Sequence, residues 1–274
     1  MKTIVIAEVG ENHYGRWDVC RGMVEEIAKH GATYAKFQTY TADNFGKDHV
    51  WYDWFKGVAM PEAEHFEMQQ LCAEKNVGFL SSTFTIGTTR FLVEKMKCTS
   101  LKVASSRLVD YDLLDDIDNR ADKVKTVYLS SGMGTIDEIR TAIEHLSKIE
   151  NLYLLHCTSQ YPCEDENVNL RAMVTMQEAF PDYPIGYSCH NHGIEACLAA
   201  VALGATVIEK HFTYHVDMPG DDHKGGMTPE MLGQMVQSIG RIETILGSAE
   251  KAPVAAEKHA VENLRVPMLD VGFE

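Results

Sequence analysis

Short runs rich in Val, Ile, Leu or Tyr alternate along the chain with amphipathic stretches, many times over. The strand-like runs fall at residues 3–8, 33–37, 78–81, 100–104, 125–129, 152–156, 184–187 and 206–209. Helix-like stretches lie between them, for example at 17–30, 62–75, 135–149, 170–179 and 194–203, and a last one spans 229–246. Apolar positions in these stretches recur at helical spacing, as Ile139, Ala142, Ile143 and Leu146 do, so they share one face. Strands of about five residues that are continuously apolar suit a parallel sheet covered on both faces.

Eight strand–helix units predict a (β/α)8 TIM barrel over residues 1–247, with residues 248–274 as a C-terminal tail. The competing layout is a doubly wound open sheet. Eight units nearly exhaust the chain, and no GxGxxG follows the first strand, which favours the barrel. The longest loop, 39–60, contains Trp51, Tyr52, Trp54 and Phe55. It reads as an active-site lid, a subunit contact, or a loop packing its own aromatics onto the barrel.

The 274 residues allow two domains of ~150 residues or one barrel of ~250. With 45% hydrophobic and 24% charged residues, the chain has material for a large core, which excludes a disordered or fibrous protein. The 40 acidic and 25 basic residues give a formal charge of −15. Such a chain repels nucleic acid, so an anionic ligand needs a local cationic site or a metal. Residues 1–15 do not read as a signal peptide, and the longest other apolar stretch, 197–208, is too short for a bilayer. The seven cysteines (Cys20, Cys72, Cys98, Cys157, Cys163, Cys189 and Cys197) never form CxxC and read as reduced, mostly buried thiols of a cytoplasmic protein.

In a barrel, function collects at the C-terminal strand ends. Those ends carry Glu8, Lys36, Gln38, Lys102, Ser105, Ser130, Ser131, Gly132, His156, Thr158, Ser159, Tyr161, Ser188, His190, His192, Glu209, Lys210 and His211. His190 and His211 end adjacent strands, where they could share a divalent metal or serve as hydrogen-bonded structural residues. His156 reads as structural, turned toward neighbouring backbone. Lys36 and Lys102 among serines suit a phosphate or carboxylate cradle, against the plainer reading of ion pairs or snorkelling. Glu8 is a candidate base, or a salt-bridge partner of the same lysines.

Nine ordered segments, AEVGENHYG (7–15), AKFQTY (35–40), FLSSTF (79–84), LKVASS (101–106), LSSGM (129–133), LLHCTSQYP (154–162), IGYSCH (185–190), IEKHFT (208–213) and PGDDH (219–223), resemble the sialic acid synthase family. Its members condense phosphoenolpyruvate with an N-acetylated sugar to give a sialic or other nonulosonic acid. The resemblance implies a catalytic role for Glu8, and Lys36 on the phosphoenolpyruvate carboxylate. It implies phosphate binding by Lys102, Ser105, Ser130 and Ser188, joined by Ser159 where some members have asparagine. It further implies His190 and His211 on Mn²⁺ or Mg²⁺, and sugar contacts from Gln38, Tyr161 and Asp222.

The chain departs from the family at Ser105-Ser106-Arg107, where Ser-Gly-Glu is usual, at Ser82-Thr83-Phe84-Thr85, and at Gly220-Asp221-Asp222. These changes fall on the sugar-facing set, and Arg107 is a candidate sugar contact. Many members carry a C-terminal antifreeze-like domain that covers the partner's active site. Here that lid is expected to be absent or encoded on another polypeptide, with a homodimer through the barrel as an open alternative. Two rival functions remain at this point: a metal-dependent pyruvate aldolase, and a non-catalytic lidless paralogue that binds an anionic ligand.

Overall fold

The computed structural model describes residues 2–268. Its strands are β1 (Ile4–Glu8), β2 (Tyr34–Thr39), β3 (Gly78–Thr83), β4 (Ser100–Val103), β5 (Thr126–Ser130), β6 (Asn151–Cys157), β7 (Ile185–Cys189) and β8 (Val207–His211). They run parallel and close in sequence order, with β1 bonded to both β2 and β8. The expected TIM barrel is therefore present.

The helices are α1 (Trp17–Lys29), α2 (Tyr52–Val58), α3 (Glu62–Glu74), α4 (Ile86–Arg90), α5 (Tyr111–Asp118), α6 (Ile136–Glu144), α7 (Arg171–Ala179), α8 (Glu195–Ala202), α9 (Asp221–Lys224), α10 (Pro229–Leu246) and α11 (Lys258–Asn263). α6 begins at a reciprocal cap: the Glu138 N–H donates to Thr135 Oγ1, and the Thr135 N–H donates to the Glu138 carboxylate. Thr135→Ala is expected to destabilise the protein by about 1 kcal/mol, read from the urea midpoint. α10 starts with Thr228 as cap and Pro229 in its first turn, where a missing N–H costs nothing.

Side chains alternate across each strand and build two cores. One set faces the helices: Val5, Ala7, Ala35, Phe37, Leu101, Val103, Val127 and Leu129 join the large barrel–helix cluster. The other faces the lumen, where Ile6, Leu80, Tyr128, Leu155 and Val207 form a small apolar plug. Two residues further along each strand the same inward period delivers Glu8, Ser82, Ser130, Cys157 and Glu209, with Lys36 and Lys102 at the same level. The apolar plug thus becomes the floor of a polar chamber.

Several strands run past their expected ends: β2 to Thr39, β3 to Thr83, β7 to Cys189 and β8 to His211. The apolar signal stops where the polar chamber begins, but the backbone ladder continues. The 39–60 segment is also more ordered than a loop. It holds a 3-10 turn at Ala42–Phe45 and the helix α2. Of the tail, residues 255–263 form one 3-10 turn and α11, both exposed, and residues 269–274 lie outside the described residues. Among the described residues no helix is long and apolar enough to cross a membrane. All seven cysteines are free and buried, as expected.

Candidate active site

A cavity of 890 Å³ opens at the C-terminal ends of the strands. Its floor is an alternating charge cluster. Lys36 Nζ donates to Glu8 Oε1 at 2.5 Å and to Ser82 Oγ at 3.1 Å, and lies 3.7 Å from Glu209 Oε2. Gln38 Nε2 donates to the same Glu8 oxygen at 3.0 Å. Lys102 Nζ donates to Ser130 Oγ at 2.6 Å and to the Val103 carbonyl at 2.8 Å, with Glu209 Oε1 at 3.8 Å. Ser188 Oγ donates to Glu209 Oε1 at 2.9 Å. Glu8, Lys36, Lys102 and Glu209 are all at most 5% exposed.

Burial opposes the charged form of each group. At Glu8 that penalty is outweighed by Lys36, His211 and the Gln38 amide, and the carboxyl is held well below the usual carboxylate range. Burial is likewise overcome at Lys36, where Glu209 and Glu8 hold the ammonium up. At Lys102 burial prevails over the attraction of Glu209, and its pKa is lowered. Lys102 is a buried cation short of negative charge, which favours an incoming anion.

Further hydroxyls line the same cavity. Ser105 Oγ accepts from the Gly132 N–H at 3.0 Å, and Ser159 Oγ is buried without a hydrogen-bond partner. Gly132 is what keeps the space open. A Cβ there would stand 2.4 Å from Ser159 Oγ and 2.7 Å from Ser105 Oγ.

At the next level up, His190 and His211 have ring centroids 5.4 Å apart. His190 Nδ1 faces the Thr158 carbonyl at 3.1 Å, leaving Nε2 free to coordinate. His211 Nδ1 is buried without a partner, and its Nε2 lies 3.6 Å from both Glu8 Oε2 and Asp222 Oδ1. Among the described residues, no three His, Cys, Asp or Glu side chains cluster closely enough to hold a metal by themselves. Two imidazoles beside two carboxylates nevertheless fit a divalent ion whose remaining ligands are oxygens of water or substrate. Tyr161 leans on His190, with centroids 4.1 Å apart.

Phe45, Trp51, Trp54, Phe55 and Phe84 line the upper wall. Phe45 stacks on Phe55 at 4.0 Å, Tyr40 meets both edge-on, and Trp54 Nε1 and the Tyr40 hydroxyl donate to the two oxygens of Glu11. The aromatic segment thus packs on itself and also walls the cavity.

Of the residues singled out from the sequence, Glu8, Lys36, Gln38, Lys102, Ser105, Ser130, Ser159, Tyr161, Ser188, His190, His211 and Asp222 all line this cavity. Arg107 does not. Its guanidinium turns to Asp110 Oδ2 at 3.3 Å and to the Ser106 carbonyl, because Asp110 is one helical turn away and accessible to solvent. Ser106, its neighbour, lines the wall instead. Lys210 and His156 belong to the outward strand face. Lys210 donates to the Asn191 and Gly225 carbonyls, and His156 Nε2 meets the Val168 carbonyl, as expected for a structural histidine. His192 is exposed on the Lys224 carbonyl. Glu209 and Cys157 carried no expected role, and Ser82, expected among the sugar-facing residues, lies on the floor and accepts from Lys36. Alternation from Val207 points Glu209 inward, so its charge was the available signal.

Residues 23–251 match the NeuB family model. The chain is 35% identical to N,N'-diacetyllegionaminic acid synthase of Legionella pneumophila, covering 92% of this chain and 76% of that protein. It is 32% identical to human N-acetylneuraminate-9-phosphate synthase, covering 95% of this chain and 76% of the relative. A solved structure of N-acetylneuraminic acid synthetase from Leptospira borgpetersenii superposes with a TM-score of 0.90 at 32% identity, over 97% of this chain and 93% of the other. The closed barrel, the cationic floor and the family match agree, and the chain belongs to the NeuB family of sialic and nonulosonic acid synthases.

Proposed function

We propose that this chain condenses phosphoenolpyruvate with an aldose to give a nonulosonic acid and inorganic phosphate. The observation that carries the reading is Lys102, buried, hydrogen-bonded to Ser130 with its nearest carboxylate oxygen 3.8 Å away, in a cavity that Ser105, Ser159 and Ser188 also line. An aldolase that uses pyruvate has no need of that phosphate cradle, and a simple anion binder has no need of Glu8 against the histidine pair.

In this reading Lys102 and the serines hold the phosphate, and Lys36 holds the carboxylate, exchanging part of its contact with Glu8. A divalent ion held by His190 and His211 would supply Lewis-acid polarisation of the acceptor carbonyl. Held so, phosphoenolpyruvate would turn carbon 3 toward the histidine level, where the two reactants would meet in near-attack geometry. Carbon 3 bonds to the aldehyde carbon with the C2=C3 π pair, the aldehyde C=O π pair moves to its oxygen, which takes up a proton, and carbon 2 is left cationic. Water adds to carbon 2 and gives up a proton, for which Glu8 is the adjacent base. The bond from carbon 2 to the bridging oxygen then breaks and phosphate leaves with that oxygen, while the new hydroxyl on carbon 2 becomes the ketone and passes its proton to the departing phosphate. Gln38, Tyr161 and Asp222 face the acceptor.

The test is phosphate release from phosphoenolpyruvate, with and without sugar, in Mn²⁺ or Mg²⁺ and after chelation. Release that requires both sugar and metal supports the reading. A lysine–pyruvate adduct trapped by borohydride would replace it with the aldolase. Gly132→Ala is expected to raise the KM for phosphoenolpyruvate by about tenfold or more, since its methyl fills the cradle and displaces hydroxyls that bond the phosphate. The acceptor KM should stay close to that of the parent.

A further inference from the structure

The aromatic segment between β2 and α3 has a core of its own. Phe45 stacks on Phe55 at 4.0 Å, His49 lies beside both rings, and the Tyr52 hydroxyl donates to Asp43 at 2.7 Å. Little of the segment is sunk into the barrel. Val58 is the buried residue of α2, and Ala42 that of the preceding 3-10 turn. A segment packed mainly on itself opens at low cost unless something ties it down.

The tie comes from the β1–α1 loop. Glu11 accepts from the Tyr40 hydroxyl with one carboxylate oxygen and from the Trp54 indole N–H with the other. Tyr40 follows the end of β2 and Trp54 lies in α2, so a single carboxylate spans both ends of the segment. Bonds to an ionised acceptor are roughly twice as strong as neutral ones. Two further contacts lie on the same loop. Tyr14 meets the Trp54 ring edge-on at 6.0 Å. Gly15, at φ +69°, lies against Gly57, where a Cβ would stand 2.1 Å from the Gly57 carbonyl oxygen. A larger residue at that position would push α2 off the loop.

We propose that Glu11 is a latch that holds residues 42–58 against the barrel as one wall of the cavity. Phe45, Trp51 and Trp54 line that wall, so the latch sets where their rings meet the acceptor. Glu11 is a positioning residue: it acts through those rings and not on the reacting atoms. The latch itself stands on contacts within the chain and is independent of the synthase reading. Its effect on the acceptor rests on that reading. Lys36, Lys102 and Glu8 belong to the strands, so the floor that holds phosphoenolpyruvate is built without the latch.

Limited trypsin digestion of the folded protein, followed by mass spectrometry, reads the opening of α2 as cleavage after Lys56. Glu11→Ala is expected to speed that cleavage by about tenfold or more, with the melting temperature within about 3 °C of the parent. Tyr40→Phe and Trp54→Phe each keep a ring and remove one donor. Each should speed cleavage several-fold in the parent and add little in the Glu11→Ala background, because the latch is already cut. Glu11→Gln, whose amide oxygen still accepts the indole N–H, should recover part of the protection. Phosphate release is then measured on the metal-supplied protein with a panel of aldoses that includes mannose and N-acetylmannosamine. Glu11→Ala should raise the acceptor KM by about tenfold and leave the KM for phosphoenolpyruvate within about twofold. Unchanged cleavage after Lys56 in Glu11→Ala, or donor variants whose effects simply add to it, would overturn the latch. Faster cleavage with an unmoved acceptor KM would overturn the positioning role. No phosphate release from the parent with any sugar would overturn the synthase reading, and the positioning role with it, while cleavage alone decides the latch.

Discussion

Lys102→Met is expected to lower kcat/KM for phosphoenolpyruvate by about a thousandfold while the melting temperature stays level or rises. The two effects have one cause. Lys102 is buried, its nearest carboxylate oxygen is 3.8 Å away, and its pKa is lowered because burial outweighs the attraction of Glu209. For a lysine, a lowered folded pKa means that the charged form is less favoured folded than unfolded. Holding that charge therefore costs stability, and a phosphate dianion is the ligand that would offset the cost. Methionine has a similar volume and no charge, so it removes the binding energy and the folding penalty together. A thermal melt of the variant beside the parent, with steady-state phosphate release, reads both. A melting temperature lower by more than about 5 °C would show that Lys102 is a structural partner of Glu209 and not a cation held ready for substrate.

Much of this arrangement was legible in the chain because a barrel converts sequence period into position. Once Ile4 and Ile6 are read as inward, Glu8 must follow them into the lumen. The same reasoning sends Lys36 and Gln38 in from β2, and Glu209 and His211 in from β8. Strand ends were underestimated for a related reason: Ser188, Cys189 and Lys210 interrupt the apolar run, although the backbone ladder continues through them. The ordering of the 39–60 segment was not legible. Its fold depends on Phe45 stacking on Phe55 and on Glu11 receiving Trp54 and Tyr40, contacts between residues up to 43 apart with no local period to announce them. The orientation of Arg107, which does not line the cavity, was hidden for the opposite reason. A charge beside Ser105 and Ser106 looks functional in sequence, but a 3-10 turn at Ser105–Arg107 sets it on Asp110. Glu209 was visible but had no assigned role, because pairing with two lysines from other strands is a property of the closed barrel alone.

Glu8→Gln should behave differently from Lys102→Met, and the contrast separates a catalytic carboxylate from a structural one. Glu8 accepts from Lys36 at 2.5 Å and from Gln38 at 3.0 Å, with His211 Nε2 3.6 Å from its second oxygen. Glutamine keeps the shape but leaves buried Lys36 with Glu209 as its remaining counter-charge. A loss of about 2–4 kcal/mol at neutral pH follows, read from the denaturant midpoint. The pH dependence has a definite sign. The folded carboxyl titrates below its ordinary value of 4.5, so Glu8 contributes stability above that pH and loses it as pH falls through the folded value. The variant should therefore converge on the parent in acid, with its deficit greatest above the carboxylate range. Activity should fall by about a thousandfold in kcat, as expected for a proton acceptor beside the reacting carbon, with the KM for phosphoenolpyruvate changed only a few-fold. If stability falls as described but kcat survives, Glu8 is a counter-ion that holds Lys36 in place, and another base must take the proton from water.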